Sequence, residues 1–124
     1  RQRHYRAVVA LKKNPSEVNL WKCVVDFRGY KFKTLSGLPF TYTLKKGRGD
    51  EFTKELWIDR REDSKSLAWS SVTLAYHNIS KIGEIVDRPK ALGDIRGVSY
   101  IYGLFYRFGL IDVPDKAKEK MAKR

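Results

Sequence analysis

The chain has 124 residues, enough for one domain around one core, and its 26 Lys and Arg against 14 Asp and Glu leave a formal net charge of +12. With 42% hydrophobic and 13% aromatic residues it is too apolar for a disordered basic tail. A single cysteine, Cys23, excludes an internal disulfide; one Cys with His4 and His77 falls short of a structural zinc set; and no apolar run approaches the roughly 20 residues that cross a bilayer.

The first half reads as strands separated by turns. Arg6 to Leu11, with Val8 and Val9, reads as a strand run and stops at the turn cluster Asn14-Pro15-Ser16. From Val18 to Phe27, Trp21, Cys23, Val25 and Phe27 alternate with Leu20, Lys22, Val24 and Asp26, which predicts a strand with one strongly apolar face. Arg28-Gly29 fits a tight hairpin turn, and Tyr30 to Leu35 alternates aromatic with basic residues as a half-buried strand does. After the break at Ser36-Gly37-Leu38-Pro39, Phe40 to Leu44 alternates aromatic residues with threonine. Lys45 to Asp50, reading KKGRGD, is a flexible basic hairpin tip, and Phe52 to Asp59 is the returning strand.

From Asp63 the period becomes helical. Asp63, Ser64 and Ser66 offer N-cap oxygens, Leu67, Leu74, Asn78, Ile79 and Ile82 fall near one face, and Gly83 is a natural stop. A short helix is predicted from Pro89 to Ile95 and a longer one from Tyr100 to about Phe108, closed by Gly109. Residues 115–124 read as a charged, helix-permissive tail to a single domain covering residues 1–114. The fold class expected is α+β, an antiparallel meander of about five strands followed by two or three helices.

Charge is the strongest functional clue. Residues 1–62 hold 15 Lys and Arg against 7 Asp and Glu, and residues 63–124 hold 11 against 7, so both halves are basic. Such an excess favours a polyanion, nucleic acid before anionic membrane. Membrane-surface binding wants a basic amphipathic helix, and the helix expected before Gly83 has only Lys65 and Lys81.

Pro89 to Ile111 has the ingredients of a helix-turn-helix-like segment. Gly93 permits close helix packing, Gly97 permits the turn, and Leu92, Ile95, Val98, Leu104, Phe105 and Phe108 are apolar anchors. In that register Ser99, Tyr100 and Tyr102 lie nearest to bases, and Lys90, Arg96 and Arg107 nearer phosphates. Gly103, however, stands where such a motif places a β-branched core residue, so a plain helical hairpin packing its aromatics on the sheet is the competing reading. Lys45, Lys46 and Arg48 are candidate phosphate contacts, because Gly47 and Gly49 remove any core role from the tip. Arg60 and Arg61 either touch phosphate or pair with the carboxylates around them. Tyr30 and Phe32, within FRGYKFK, would serve an RNA-binding sheet face or simply fill the core.

Catalytic patterns are missing. There is no glycine-rich phosphate loop, no carboxylate set of the kind metal-dependent nucleases use, and His4 and His77 make at most a weak acid–base pair. Cys23, in an apolar stretch, reads as a buried inert thiol. The expectation is therefore a non-catalytic nucleic-acid-binding domain without cofactor or metal, with duplex DNA favoured over RNA. An RNA-binding domain and a protein-interaction module, with Trp57 and Trp69 as anchors, are the alternatives. The charged start from Arg1 to Arg6, with no apolar segment after it, leads to an intracellular location, cytoplasm, nucleoid or nucleus.

Overall fold

Helices, not strands, open the chain. A computed structural model describes residues 2–59 and 65–121 and begins with α1 (Gln2–Lys13) and α2 (Glu17–Asp26), joined at the Asn14-Pro15-Ser16 turn. The spacing of the buried residues corrects the strands expected over 6–11 and 18–27. In α2 these are Leu20, Cys23 and Val24, continued by Phe27 just past its end, which is one helical face. As a strand the same four would point to both sides of a sheet. Ser16 starts the helix, its Oγ accepting from the Asn19 amide at 3.1 Å. In α1 the buried pair is Ala7 and Leu11, one turn apart, and the Cys23 thiol donates to the Ala7 carbonyl at 3.2 Å. Burying Leu11, Leu20, Val24 or Phe27 contributes about 1.5–3 kcal/mol each, more than the tenths of a kcal/mol by which valines disfavour a helix.

Arg28-Gly29, expected as a hairpin turn, instead ends α2. Gly29 has φ 83° and its amide donates to the Tyr42 carbonyl at 2.9 Å. The chain then forms a four-stranded antiparallel sheet in sequence order, β1 (Phe32–Lys33), β2 (Pro39–Thr43), β3 (Glu55–Asp59) and β4 (Lys65–Ala68). Register sets Phe32 opposite Phe40, Tyr42 opposite Ile58 and Leu56 opposite Leu67, and all six side chains are buried. β4 takes part of the segment expected to begin a helix. Ser66 is a strand residue opposite Trp57, and α3 (Trp69–Asn78) starts after it. Asp63 and Ser64, the other expected caps, lie outside the described residues. α3 buries Val72 and Ala75, whereas Leu74, expected on its inner face, is 53% exposed. A 3-10 turn, Ile79–Lys81, carries on from it.

The apolar face of the sheet is covered by α2 and by α4 (Val98–Phe108). The Tyr42 hydroxyl donates to the Val24 carbonyl at 2.6 Å, joining β2 to α2. α4 comes closest at Gly103, where a Cβ would stand 2.6 Å from the Lys33 carbonyl oxygen. This accounts for the glycine in place of a β-branched residue, because the helix lies directly on β1. α5 (Asp115–Lys120), in the segment expected as a tail, puts Ala117 in the core, followed by buried Met121. The Lys120 backbone closes against Gly37 in the turn between β1 and β2.

Candidate functional site

β2 and β3 run past their ends into a hairpin over residues 44–54, held by the Lys46–Phe52 bridge and by the Gly47 amide on the Glu51 carbonyl at 2.8 Å. A short extension of this kind is marginal on hydrogen bonds alone. Cations over aromatic rings reinforce it. Lys45 Nζ is 3.8 Å from the Trp57 ring centre, and Lys46 Nζ and the Arg28 guanidinium lie 5.7 and 5.1 Å from that of Phe52. Lys54 Nζ is 5.7 Å from Trp21 and 6.0 Å from Trp69, which meet edge to face at 5.0 Å. Such contacts are worth about 0.5–1 kcal/mol each at exposed sites. They restrain the long side chains, yet Arg28, Lys45, Lys46 and Lys54 all remain exposed.

Of the expected phosphate contacts, Lys45, Lys46 and Arg48 thus share one exposed hairpin. Its tip is a tight turn rather than a loose loop, with Gly49 and Asp50 at φ 70° and 66°. Lys46 also pairs with Asp50 at 3.7 Å, a contact worth little in water. Arg60 and Arg61 lie outside the described residues. Trp57 and Trp69, considered as exposed anchors, are half-buried beside Lys45 and Trp21 respectively.

Over residues 89–111 there is one 3-10 turn, Pro89–Leu92, a bend through Gly93 to Gly97, and α4. Seven of the eleven residues of α4 are buried and only Ser99 is exposed. A helix that reads a groove needs an exposed face, and α4 presents only its first turn. Tyr102, expected near bases, is corrected: it is fully buried, its hydroxyl donates to the Val86 carbonyl, and burial pushes its pKa up to about 12. Arg107, expected near phosphate, is half-buried. Its Nε donates to the Tyr30 hydroxyl at 2.8 Å, and its guanidinium lies 5.4 and 5.1 Å from the Phe27 and Tyr30 ring centres. The same packing takes Phe32 and Tyr42 into the core and leaves Tyr30 half-buried, which corrects the stacking sheet face proposed for RNA.

Arg96, Ser99 and Tyr100, in contrast, come together. They line one side of an open cleft of about 710 Å³ whose other walls are the 34–38 turn, β4 and Lys120. Gly97 makes the corner. Its φ is 78°, and a Cβ there would overlap the Leu67 side chain, so only glycine turns the chain this close to β4. The Tyr100 ring meets Phe40 edge-on at 5.0 Å. Arg96 and Lys120 are the cations of the cleft, and none of the described residues lining it is acidic. Lys90 is exposed on the 3-10 turn whose Pro89 belongs to the same lining. Sequence patterning misses Arg28, Lys54 and Lys120. The first two meet aromatic rings only through the fold, and the third sits in a segment that reads as a tail.

The two histidines have separate partners. His4 stacks on Phe27 at 4.3 Å, and burial lowers its pKa below the ordinary 6.5. His77 Nε2 lies 2.6 Å from a Glu17 carboxylate oxygen. Cys23 is buried, which pushes its thiol up to about 12 and leaves it a poor nucleophile. Among the described residues no group of three or more His, Cys, Asp or Glu is placed to hold a metal ion, and no helix is long and apolar enough to cross a membrane. No protein-family model, curated protein or solved structure matches the chain at a significant level.

Proposed function

We propose that the chain is a non-catalytic nucleic-acid-binding domain whose affinity comes from phosphate contacts made by the β2–β3 hairpin. The observation that carries this reading is the gathering of four exposed cations, Arg28, Lys45, Lys46 and Lys54, on the aromatic rings of one hairpin and its neighbours. An ammonium or guanidinium resting on a ring has already lost part of the side-chain freedom that a phosphate contact would take from it, so less ordering remains on binding. Arg48, exposed at the tip, extends the row. Duplex DNA is the first ligand to test, because it presents the densest row of phosphates to such a hairpin. With α4 presenting only its first turn, base reading by residues 89–111 is minor and binding is tolerant of sequence.

The test is fluorescence anisotropy against matched duplex DNA, single-stranded DNA and RNA across a salt series. Five phosphate-contacting cations give a slope of log affinity against log salt of about −4 to −5 on duplex DNA. Each Lys→Gln change in the hairpin should make that slope shallower by about 1, whatever the sequence. No binding at low salt, or binding untouched by the hairpin changes, refutes the proposal. A salt-resistant, stoichiometric complex with an acidic protein would replace it.

A further inference from the structure

The cleft between the first turn of α4 and the 34–38 turn has a chemistry that the hairpin proposal does not use. We infer that it is a binding site for a nucleoside monophosphate group, a phosphomonoester carried on a flat heterocycle, either free or at the end of a strand. Three observations converge on this ligand class.

The first is charge. Arg96 and Lys120 both line the cleft, neither has an ion-pair partner among the described residues, and none of the described lining residues is acidic. Two exposed cations on the lining of one concave surface give it a net positive potential that favours an anion. A phosphomonoester at neutral pH carries roughly −1.5 to −2 and matches that pair. Arginine, with its planar fork of donors, suits a phosphate in particular.

The second is the set of neutral donors. Ser36 and Ser99 come from two different elements, the β1–β2 turn and α4, and both are exposed residues of the lining. Hydroxyls both donate and accept, so they serve phosphate oxygens and ribose hydroxyls alike.

The third is apolar surface that an inorganic anion would leave wet. Leu38 is 51% exposed, and Pro89 and Tyr100 are half-buried, all on the cleft wall. The volume of about 710 Å³ lies well inside the roughly 300–1,000 Å³ of small-ligand sites and is far larger than one phosphate needs. A sugar phosphate satisfies the cations but not the leucine and proline. A nucleotide satisfies both.

The test is titration calorimetry of the whole chain with AMP, UMP, adenosine and inorganic phosphate, alongside anisotropy with short oligonucleotides bearing a 5′-phosphate or a 5′-hydroxyl. Saturable binding of the monophosphates is expected, with adenosine and phosphate each weaker by roughly tenfold or more. Arg96→Gln and Lys120→Gln should each weaken AMP by roughly 10- to 100-fold, the range for losing a charge-assisted contact. Both residues are exposed, so unchanged thermal melting will show that the variants fold. Leu38→Asp, also at an exposed position, places a carboxylate in the mouth and should abolish AMP binding. Lys46→Gln should leave it unchanged.

The two sources of ligand separate in the oligonucleotide arm. A 5′-phosphate that tightens binding in wild type but not in Arg96→Gln places a strand end in the cleft. AMP binding with no such preference makes the ligand a free nucleotide. Absence of saturable AMP binding, or AMP binding equal in wild type and both cation variants, overturns the inference, even if duplex DNA still binds through the hairpin. If AMP binds as expected and duplex DNA does not bind at all, the inference stands and the hairpin proposal falls.

Discussion

Gly103→Ala tests where α4 sits. On an exposed helix the change is favourable by about 0.8–1.0 kcal/mol, because alanine gives up less backbone freedom than glycine. Here the added Cβ would stand 2.6 Å from the Lys33 carbonyl oxygen, with Phe40 ring carbons at 3.2 and 3.3 Å. The ring can tilt, but the oxygen belongs to the backbone of β1, which pairs with β2 at Lys33 and Pro39. Relief therefore requires α4 to lift from the sheet or β1 to leave its register. Overpacking against a well-packed core costs about 1–3 kcal/mol, and a backbone obstacle puts this case in the upper part of that range. After the helix-propensity gain, a net loss of about 1–2 kcal/mol remains, which lowers the Tm of a domain this size by roughly 3–10 °C. The assay is thermal and urea unfolding followed by far-UV circular dichroism. Gly83→Ala is the control, since nothing lies within 4 Å of that Cβ position. A rise in Tm for Gly103→Ala would refute the close approach and return α4 to the role of an exposed helix, the geometry that groove reading needs.

Three further outcomes follow from buried groups. Tyr42→Phe should cost about 1–3 kcal/mol, measured by urea unfolding, because its buried hydroxyl is the donor to the Val24 carbonyl near the end of α2. The Cys23 thiol, pushed up to about 12 by burial, should resist an aromatic disulfide reagent at about pH 8 in the native protein and react fully once unfolded. His4 has its folded pKa lowered, chiefly by burial, so the unfolded chain takes up the proton first as the pH falls. Its contribution is complete above the unfolded value near 6.5 and is lost as the pH falls through the lower folded value, so wild type should lose more Tm between about pH 7.5 and 5.5 than His4→Phe does. Equal losses in the two proteins would place His4 in water.

β2, β3 and the end of α4 are more legible than the two opening helices and β4, and the reason is local. β2 and β3 fall within the alternating stretches around KKGRGD, and Gly109 ends α4 with φ 80°, because turn chemistry and positive φ belong to single residues. The stretch from Val18 to Phe27 satisfies period 2 and period 3.6 together. Ser16 with its amide partner at Asn19, and the set 20, 23, 24 and 27, are the signals that favour the helix. β4 has no such local signal. Leu67 belongs equally to a helical face, and its place in a strand is fixed by Leu56 across the ladder.

The candidate site divides along the same line. The exposed position of Lys45, Lys46 and Arg48 on one hairpin is legible, because the glycines among them leave no core role, but the rings beneath the cations are supplied by residues distant in sequence, as when Arg28 and Lys46 share Phe52. Net charge also overstates what a partner can reach. Arg107 is consumed in packing against Phe27 and Tyr30, and Lys118 lies 3.4 Å from Asp112 and 3.6 Å from Asp115. Counting Lys and Arg gives these the same weight as Lys54 or Arg96, which have no carboxylate partner among the described residues. The physical distinction is whether a cation has already met its negative or aromatic partner within the fold and, if so, whether it remains exposed. On that criterion Arg28, Lys45, Arg48, Lys54, Arg96 and Lys120 are exposed without a carboxylate partner among the described residues, Lys46 is exposed but shared with Asp50, and Arg107, despite its place on α4, is spent within the fold.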